Sequence, residues 1–293
     1  MQSFGERMAE AVYERGTSAV VGLDPHLDRL PAALRHDFEG LSGQAWFEGA
    51  ARAVVAFNRM VIDAVADLVP AVKPQFAFYE ALGTPGWAAL TETCQMAKDA
   101  GLLTIGDAKR GDISSTGAAY ARAILHPDGP LGLDSVTLNP WMGVDTLDPF
   151  LSVCHAHGRG IFVLVRTTNP GSPLLQHHGD VPAATVVARA LCAAGQDTSG
   201  PTGMSSVGAV VGATAGADAA AMRAQMPAAW FLVPGVGAQG GDADDAVAGA
   251  RPDGLGCLVN SSRGVLFGAD DGDDPAQAIR DRAQAHASRF SMS

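Results

Sequence analysis

The sequence predicts an α/β protein, a closed (β/α)8 TIM barrel formed as a single domain over residues 1–293. Three observations lead there. Eight short, near-continuously apolar runs recur along the 293 residues. Helical patterns fill many of the intervals between them, and polar residues stand just after the runs. Continuous apolar runs are the mark of parallel strands buried on both faces, whereas half-exposed strands alternate. Strand–helix alternation gives a parallel α/β fold. Eight such units in this length favour a closed barrel over the competing open, doubly wound sheet.

The elements follow in order. Ser3 and Glu6 have the spacing of a capping box at the head of an amphipathic first helix. The apolar runs fall at 19–23, 69–73, 103–107, 135–138, 161–165, 207–211, 230–233 and 256–259. Between the first two, Phe47, Ala50, Val54, Phe57, Val61, Val65 and Leu68 step by three and four and form one apolar stripe of a helix. Thr84-Pro85 reads as an N-cap followed by proline at the first helical position. Gly101 reads as that helix's stop. Residues 171–206 are long and rich in Gly, Pro, Ser and Thr, which predicts a surface excursion with a helix over 183–194. Asp274-Pro275 opens a final helix.

Composition narrows the function. Hydrophobic content of 47% and charged content of 17% support a large core. A net charge of −11 argues against nucleic acid and against anionic membranes as partners. A small anionic ligand remains compatible, since a few local cations dominate the field inside a cleft. The four cysteines lack any C-x-x-C pair, which fits reduced thiols in a cytoplasmic protein. No stretch is apolar enough to span a bilayer, and the N-terminus lacks signal-peptide character. His155 and His157, like His177 and His178, come without a third metal ligand. Both pairs read as surface residues remote from the strand ends.

The functional signal is the polar residue set at the strand ends, the active-site face of such barrels. Asp24 follows the first run and Lys73 closes the second. The third run leads into Asp107-Ala-Lys109-Arg-Gly-Asp112-Ile113. Residues two apart share a strand face, so Asp107 and Lys109 project together, with Asp112 in the loop beyond. Two carboxylates around one ammonium are costly to build for stability alone, but they fix charge against a reacting group. Thr137 and Asn139 flank the end of the fourth run, and Thr167, Thr168 and Asn169 follow the fifth. After the seventh comes a glycine-rich loop, Gly235-Val-Gly237-Ala-Gln239-Gly-Gly, and after the eighth Arg263-Gly264. Backbone N–H groups of such glycines with an arginine fork beside them predict a phosphate site.

These residues together resemble a known family. Gly106-Asp107-Ala-Lys109-Arg-Gly-Asp112-Ile113 with Thr116 is similar to the D-x-K-x-x-D-I signature of orotidine 5′-phosphate decarboxylases. Asp24-Pro25, Val72-Lys73-Pro74-Gln75, the glycine loop through Gln239, and Arg263-Gly264 match further motifs in the right order. The resemblance spans residues 20–268, and it is closest to the longer bacterial branch. It implies a (β/α)8 homodimer that converts orotidine monophosphate to UMP and carbon dioxide with no cofactor and no metal. Lys109 would then be the proton donor to the carbon that loses the carboxylate, with Asp107 beside that carboxylate. Lys73 would join the charged network and contact the ribose, as Asp24 would. Asp112 and Thr116, with Ile113 between them, would reach the partner subunit's site. Gln239 and Gly237 would close over the phosphate that Arg263 and Gly264 bind, and Thr168 would meet the pyrimidine.

The chemistry explains the residue types. Loss of carbon dioxide leaves an electron pair in the ring plane, where the π system delocalises it poorly. No cofactor motif offers an electron sink. A fixed ammonium stabilises that pair and can then protonate it. Two other readings share the motifs: a related sugar-phosphate lyase or isomerase using magnesium, and a non-catalytic nucleotide-binding protein. Against the first, the second strand ends in Lys73, where a metal would want a carboxylate. Against the second stands the intact charged set.

Overall fold

The computed structural model describes residues 1–213, 216–235, 243–268 and 274–292. Eight parallel strands close into one barrel in sequential order, with the last pairing back to the first. They are β1 (Ala19–Leu23), β2 (Ala71–Pro74), β3 (Leu103–Arg110), β4 (Ser135–Leu138), β5 (Gly160–Arg166), β6 (Val207–Val211), β7 (Phe231–Val233) and β8 (Cys257–Ser261). β1, β4 and β6 have the bounds their apolar runs predict. β3 and β7 differ at one end, with β3 running on to Arg110, and β2, β5 and β8 differ at both.

The runs are continuous because both strand faces are covered. Val20, Ala71, Ile105, Phe162 and Leu258 share one buried cluster with Phe4, Met8 and Val12. Their strand neighbours Val21, Val72, Ile161, Val163 and Val259 belong to a second cluster with the surrounding helices. Alternate side chains of one strand thus serve the barrel interior and the layer beneath the helices.

The first helix, Phe4–Arg15, lies against the N-terminal ends of the strands. Phe4 meets Phe162 edge to face at 5.8 Å, and the Trp230 indole donates to the Gly5 carbonyl at 3.3 Å. The expected capping box forms only in half. Ser3 Oγ accepts from Glu6 N at 3.4 Å, but the Glu6 carboxylate accepts instead from Thr202 Oγ1 at 2.6 Å and Thr202 N at 3.1 Å. Glu6 is buried against that loop, where two donors compete with one backbone N–H.

The predicted stripe builds Gly43–Val65, with Ala50, Val54, Phe57, Val61 and Val65 buried, while Phe47 lies beyond the packed face. The helix Gly83–Asp99 starts earlier than predicted. Leu82 is its N-cap, and Thr84 and Pro85 sit inside its first turn, because the short helix Phe76–Glu80 leads directly into it. Gly101, at φ +75°, ends it as expected. Asp274 caps Pro275–Arg289 by accepting from Gln277 N at 3.0 Å. Within residues 171–206, the helix Ala183–Ala194 packs on β5 and β6 and buries Ala184, Ala188 and Leu191 in the main core. Among the described residues, no helix is long and apolar enough to cross a membrane.

Candidate active site

Asp107 is the fixed point of the C-terminal face. Its Oδ2 accepts from Lys73 Nζ at 2.7 Å and from Gln75 Nε2 at 2.8 Å. Its Oδ1 accepts from Lys109 Nζ at 2.5 Å and from the Thr137 hydroxyl at 3.0 Å. Lys73 comes from β2, Asp107 and Lys109 from β3, and Thr137 from β4, so three adjacent strands converge on one carboxylate.

Burial pushes the Asp107 carboxyl up, but the charges of Lys73 and Lys109 outweigh it and hold the group well below the usual carboxylate range. Burial likewise works against the Lys73 ammonium. The carboxylates of Asp107 and Asp24 overcome it and keep Lys73 above the ordinary lysine value. The site therefore carries fixed charges at neutral pH. The two lysines differ in access: the Lys73 side chain is 4% exposed and the Lys109 side chain 46%.

The strand is distorted where Lys109 projects. β3 and β4 pair at Gly106↔Val136 and next at Arg110↔Leu138, so four residues of β3 span two of β4. Lys109 takes φ +47°, in the left-handed region that disfavours side chains. The Ala108 and Lys109 N–H groups both donate to Thr137 Oγ1, at 3.0 and 2.9 Å.

Above this cluster opens a cavity of about 980 Å³. Asp24, Lys73, Asp107, Lys109, Thr168, Arg263 and Gly264 all line it, so seven residues read from the sequence meet at one site. Gly212 makes room for Thr168, since a Cβ there would stand 2.1 Å from Thr168 Cγ2. Asp24 Oδ1 and Asn260 Oδ1 are buried with no hydrogen-bond partner, and both residues line the cavity. Buried polar atoms are nearly always paired, so these two oxygens are where a ligand's donors fit. Asp112, Ile113 and Thr116 do not line this chain's cavity. They lie on the loop after β3 and the start of the helix Ser114–Ile124, with Ile113 and Thr116 exposed. Gly237 and Gln239 lie outside the described residues.

Residues 171–206 border the same cavity through Leu175, Gln176 and Val181. Gln176 ties the segment to the end of β5, accepting from Thr167 N at 3.0 Å and donating to Thr167 Oγ1 at 2.8 Å. This corrects one expectation: His178 is exposed but lines the cavity, because the segment turns across its mouth. Among the described residues, no three His, Cys, Asp or Glu side chains gather as a metal site.

Sequence reasoning places Gln75 in a matching motif and Thr137 and Asn260 at strand ends, but assigns none of the three a role of its own. Gln75 was within reach, because the two-residue step from Lys73 places it on the same side. Thr137 stands in the polar set at the strand ends, but nothing local shows what its hydroxyl bonds to. Its partners come from another strand, 28 to 30 residues away.

A family model described as "Orotidine 5'-phosphate decarboxylase / HUMPS family" matches residues 50–280. A Rhodopirellula baltica protein named orotidine 5'-phosphate decarboxylase is 43% identical over 274 residues, covering 91% of this chain and 89% of its own. One of the same name from Petrotoga mobilis is 37% identical over 283 residues, covering 95% and 93%. The solved structure of Leishmania donovani OMP decarboxylase matches with a TM-score of 0.72 at 32% identity, covering 99% of this chain and 100% of that one.

Proposed function

The chain belongs to the orotidine 5′-phosphate decarboxylase / HUMPS family, and on that premise we propose that it is a metal-free carboxy-lyase acting on orotidine monophosphate, with UMP and carbon dioxide as products. The observation that carries this reading is the Asp107 carboxylate held between two ammonium groups at the cavity wall. The substrate carboxylate would lie beside Asp107, and the ring carbon bearing it beside Lys109. The carbon–carboxylate bond breaks and its electron pair stays on the ring carbon, in the field of the Lys109 ammonium. A proton then passes from Lys109 Nζ to that carbon. The half-exposed Lys109 recovers its proton from solvent. Lys73 stays charged and anchors Asp107 from the buried side.

Binding energy would come from the far end of the nucleotide. Arg263 and the left-handed Gly235 (φ +98°) line the cavity at the ends of β7 and β8, where a phosphate fits. Asp24 Oδ1 would accept from a ribose hydroxyl. The metal-free assignment rests on Lys73, a cation at the strand end where a divalent ion would need a carboxylate. The free thiols Cys94, Cys154, Cys192 and Cys257 suit a reducing compartment, the cytoplasm.

Asp112, Ile113 and Thr116 are assigned to the site of a second copy, making a homodimer with shared active sites. Apolar surface on the adjoining loop after β4, with Trp141 73% exposed and Met142 54%, supports a second chain there. Mixing an Asp112→Ala chain with a Lys109→Ala chain should then restore part of the activity, through one repaired site per heterodimer. Proven subunit exchange with no recovery would remove the shared site. The function itself is tested by following loss of orotidine monophosphate absorbance with purified protein and added chelator. Turnover that survives chelation is expected. No turnover, or turnover abolished by chelation, would overturn the reading.

A further inference from the structure

The Thr137 hydroxyl sits 1% exposed between the bulge of β3 and the carboxylate of Asp107. A hydroxyl has one hydrogen to give and two lone pairs to receive. Both lone pairs are engaged by N–H groups, from Ala108 at 3.0 Å and Lys109 at 2.9 Å, and neither donor can act as an acceptor. The single hydrogen must therefore point at Asp107 Oδ1, 3.0 Å away. The bonding is saturated and its direction is fixed.

That direction matters because the same oxygen of Asp107 receives the Lys109 ammonium at 2.5 Å. Thr137 therefore grips Lys109 at both ends: directly at its backbone N–H, and through Asp107 at its Nζ. The backbone it holds is unfavourable for a side chain, with Lys109 at φ +47° and two surplus residues of β3 against β4. Without a partner, the buried Ala108 N–H and the part-buried Lys109 N–H in that bulge would both be orphaned. A regular strand would restore their ladder and carry the lysine elsewhere.

We infer that Thr137 is a positioning residue of the decarboxylation: its hydroxyl pins the β3 bulge so that the Lys109 ammonium stands over the reacting carbon. Valine has the same branched shape and no hydroxyl, whereas serine keeps the hydroxyl and loses only the methyl group. The kinetic side of the inference rests on the decarboxylase reading; the conformational side does not.

The test compares T137V, T137S and T137A. In T137V, kcat should fall about 100-fold, the scale of a small misplacement of a catalytic group. KM should stay within about twofold, since Thr137 touches none of the proposed phosphate contacts. T137S should recover most of the lost kcat. A crystal structure of T137V should show Lys109 released from its positive φ, a readout independent of the reaction. Unchanged kcat in T137V, or equal loss in T137S, would overturn the inference. So would a T137V structure in which Lys109 keeps both its φ and its contact with Asp107. T137A covers the case in which T137V does not fold; failure of both to fold would make Thr137 a fold residue and sink the catalytic claim. If the wild-type protein lacks turnover, the decarboxylase reading fails, and the Lys109 conformation still decides the role of Thr137.

Discussion

Two aspartates of this barrel stand between two cations and a threonine, at opposite ends of neighbouring strands. At the C-terminal end, Asp107 takes Lys73, Lys109, Gln75 and Thr137. At the N-terminal end, Asp134 takes Arg7 at 2.6 Å and Arg159 at 2.9 Å on one oxygen, and Thr104 N and Oγ1, both at 2.9 Å, on the other. Each carboxylate has four donors, yet the clusters differ in kind. The lower one uses guanidinium groups that cannot give up a proton, and it ties the first helix and the approach to β5 to the sheet. The upper one uses ammonium groups, one half exposed, facing a cavity of about 980 Å³. A satisfied ion cluster is thus a clamp or a reagent according to whether one cation can transfer a proton and whether space exists for what receives it.

The sharpest break of this comparison is to exchange the cation types. Lys109→Arg keeps the charge and loses the transferable proton, so turnover should fall at least about 10⁴-fold, as in Lys109→Ala. Both variants should remain folded by circular dichroism, and a turnover assay that finds Lys109→Arg active would end the proton-donor assignment. The mirror experiment is Asp134→Ala, which leaves two guanidinium groups without their carboxylate. It should cost about 3–5 kcal/mol in urea unfolding, while kcat of the folded protein stays within about twofold. A large kcat effect would show that the lower cluster also serves chemistry.

A smaller effect is expected at the far end of the cavity. Arg263→Ala should raise KM about 10- to 100-fold, the worth of a charged hydrogen bond to phosphate, with kcat less affected. Unchanged saturation by the phosphorylated substrate would take Arg263 out of the phosphate site.

The smallest effect concerns pH. Asp107 is held below the ordinary carboxylate value, so its contribution to stability is complete above about pH 4 and is lost only as pH falls further. Lys73 is held above the ordinary lysine value of 10.5, so its contribution is complete below that pH and is lost as pH rises through its folded value. Asp107 and Lys73 should therefore add no pH dependence of stability between about pH 5 and 9. His286 behaves otherwise: burial pushes its ring down, against the Val259 carbonyl 3.0 Å away. Its contribution is full above 6.5 and is lost as pH falls below it. Thermal melts should show a modest acid loss beginning there, and His286→Gln should flatten it.

Much of this was legible in the chain. The β1, β4 and β6 runs matched their strands because a segment buried on both faces must be apolar throughout. Asp107 and Lys109 do meet, as the two-residue step predicts, but the contact is made from the β3 bulge, with Lys109 at φ +47°, and not from a regular strand. Thr84 is not the cap its sequence suggests, because what precedes that helix is the short helix Phe76–Glu80, itself set by packing. Glu6 has the spacing of a capping partner, but a loop nearly 200 residues away takes its carboxylate.

The sequence alone determined the alternation of strands and helices, the charged motif after the third strand and the family those residues resemble. All are properties of neighbouring residues, governed by backbone periodicity and solvation. Tertiary structure alone decided that Thr137 holds the bulge, that His178 borders the cavity, and that Arg7 and Arg159 meet on Asp134. Those contacts join residues 25 to 127 positions apart, and only barrel closure and strand register bring them within bonding distance.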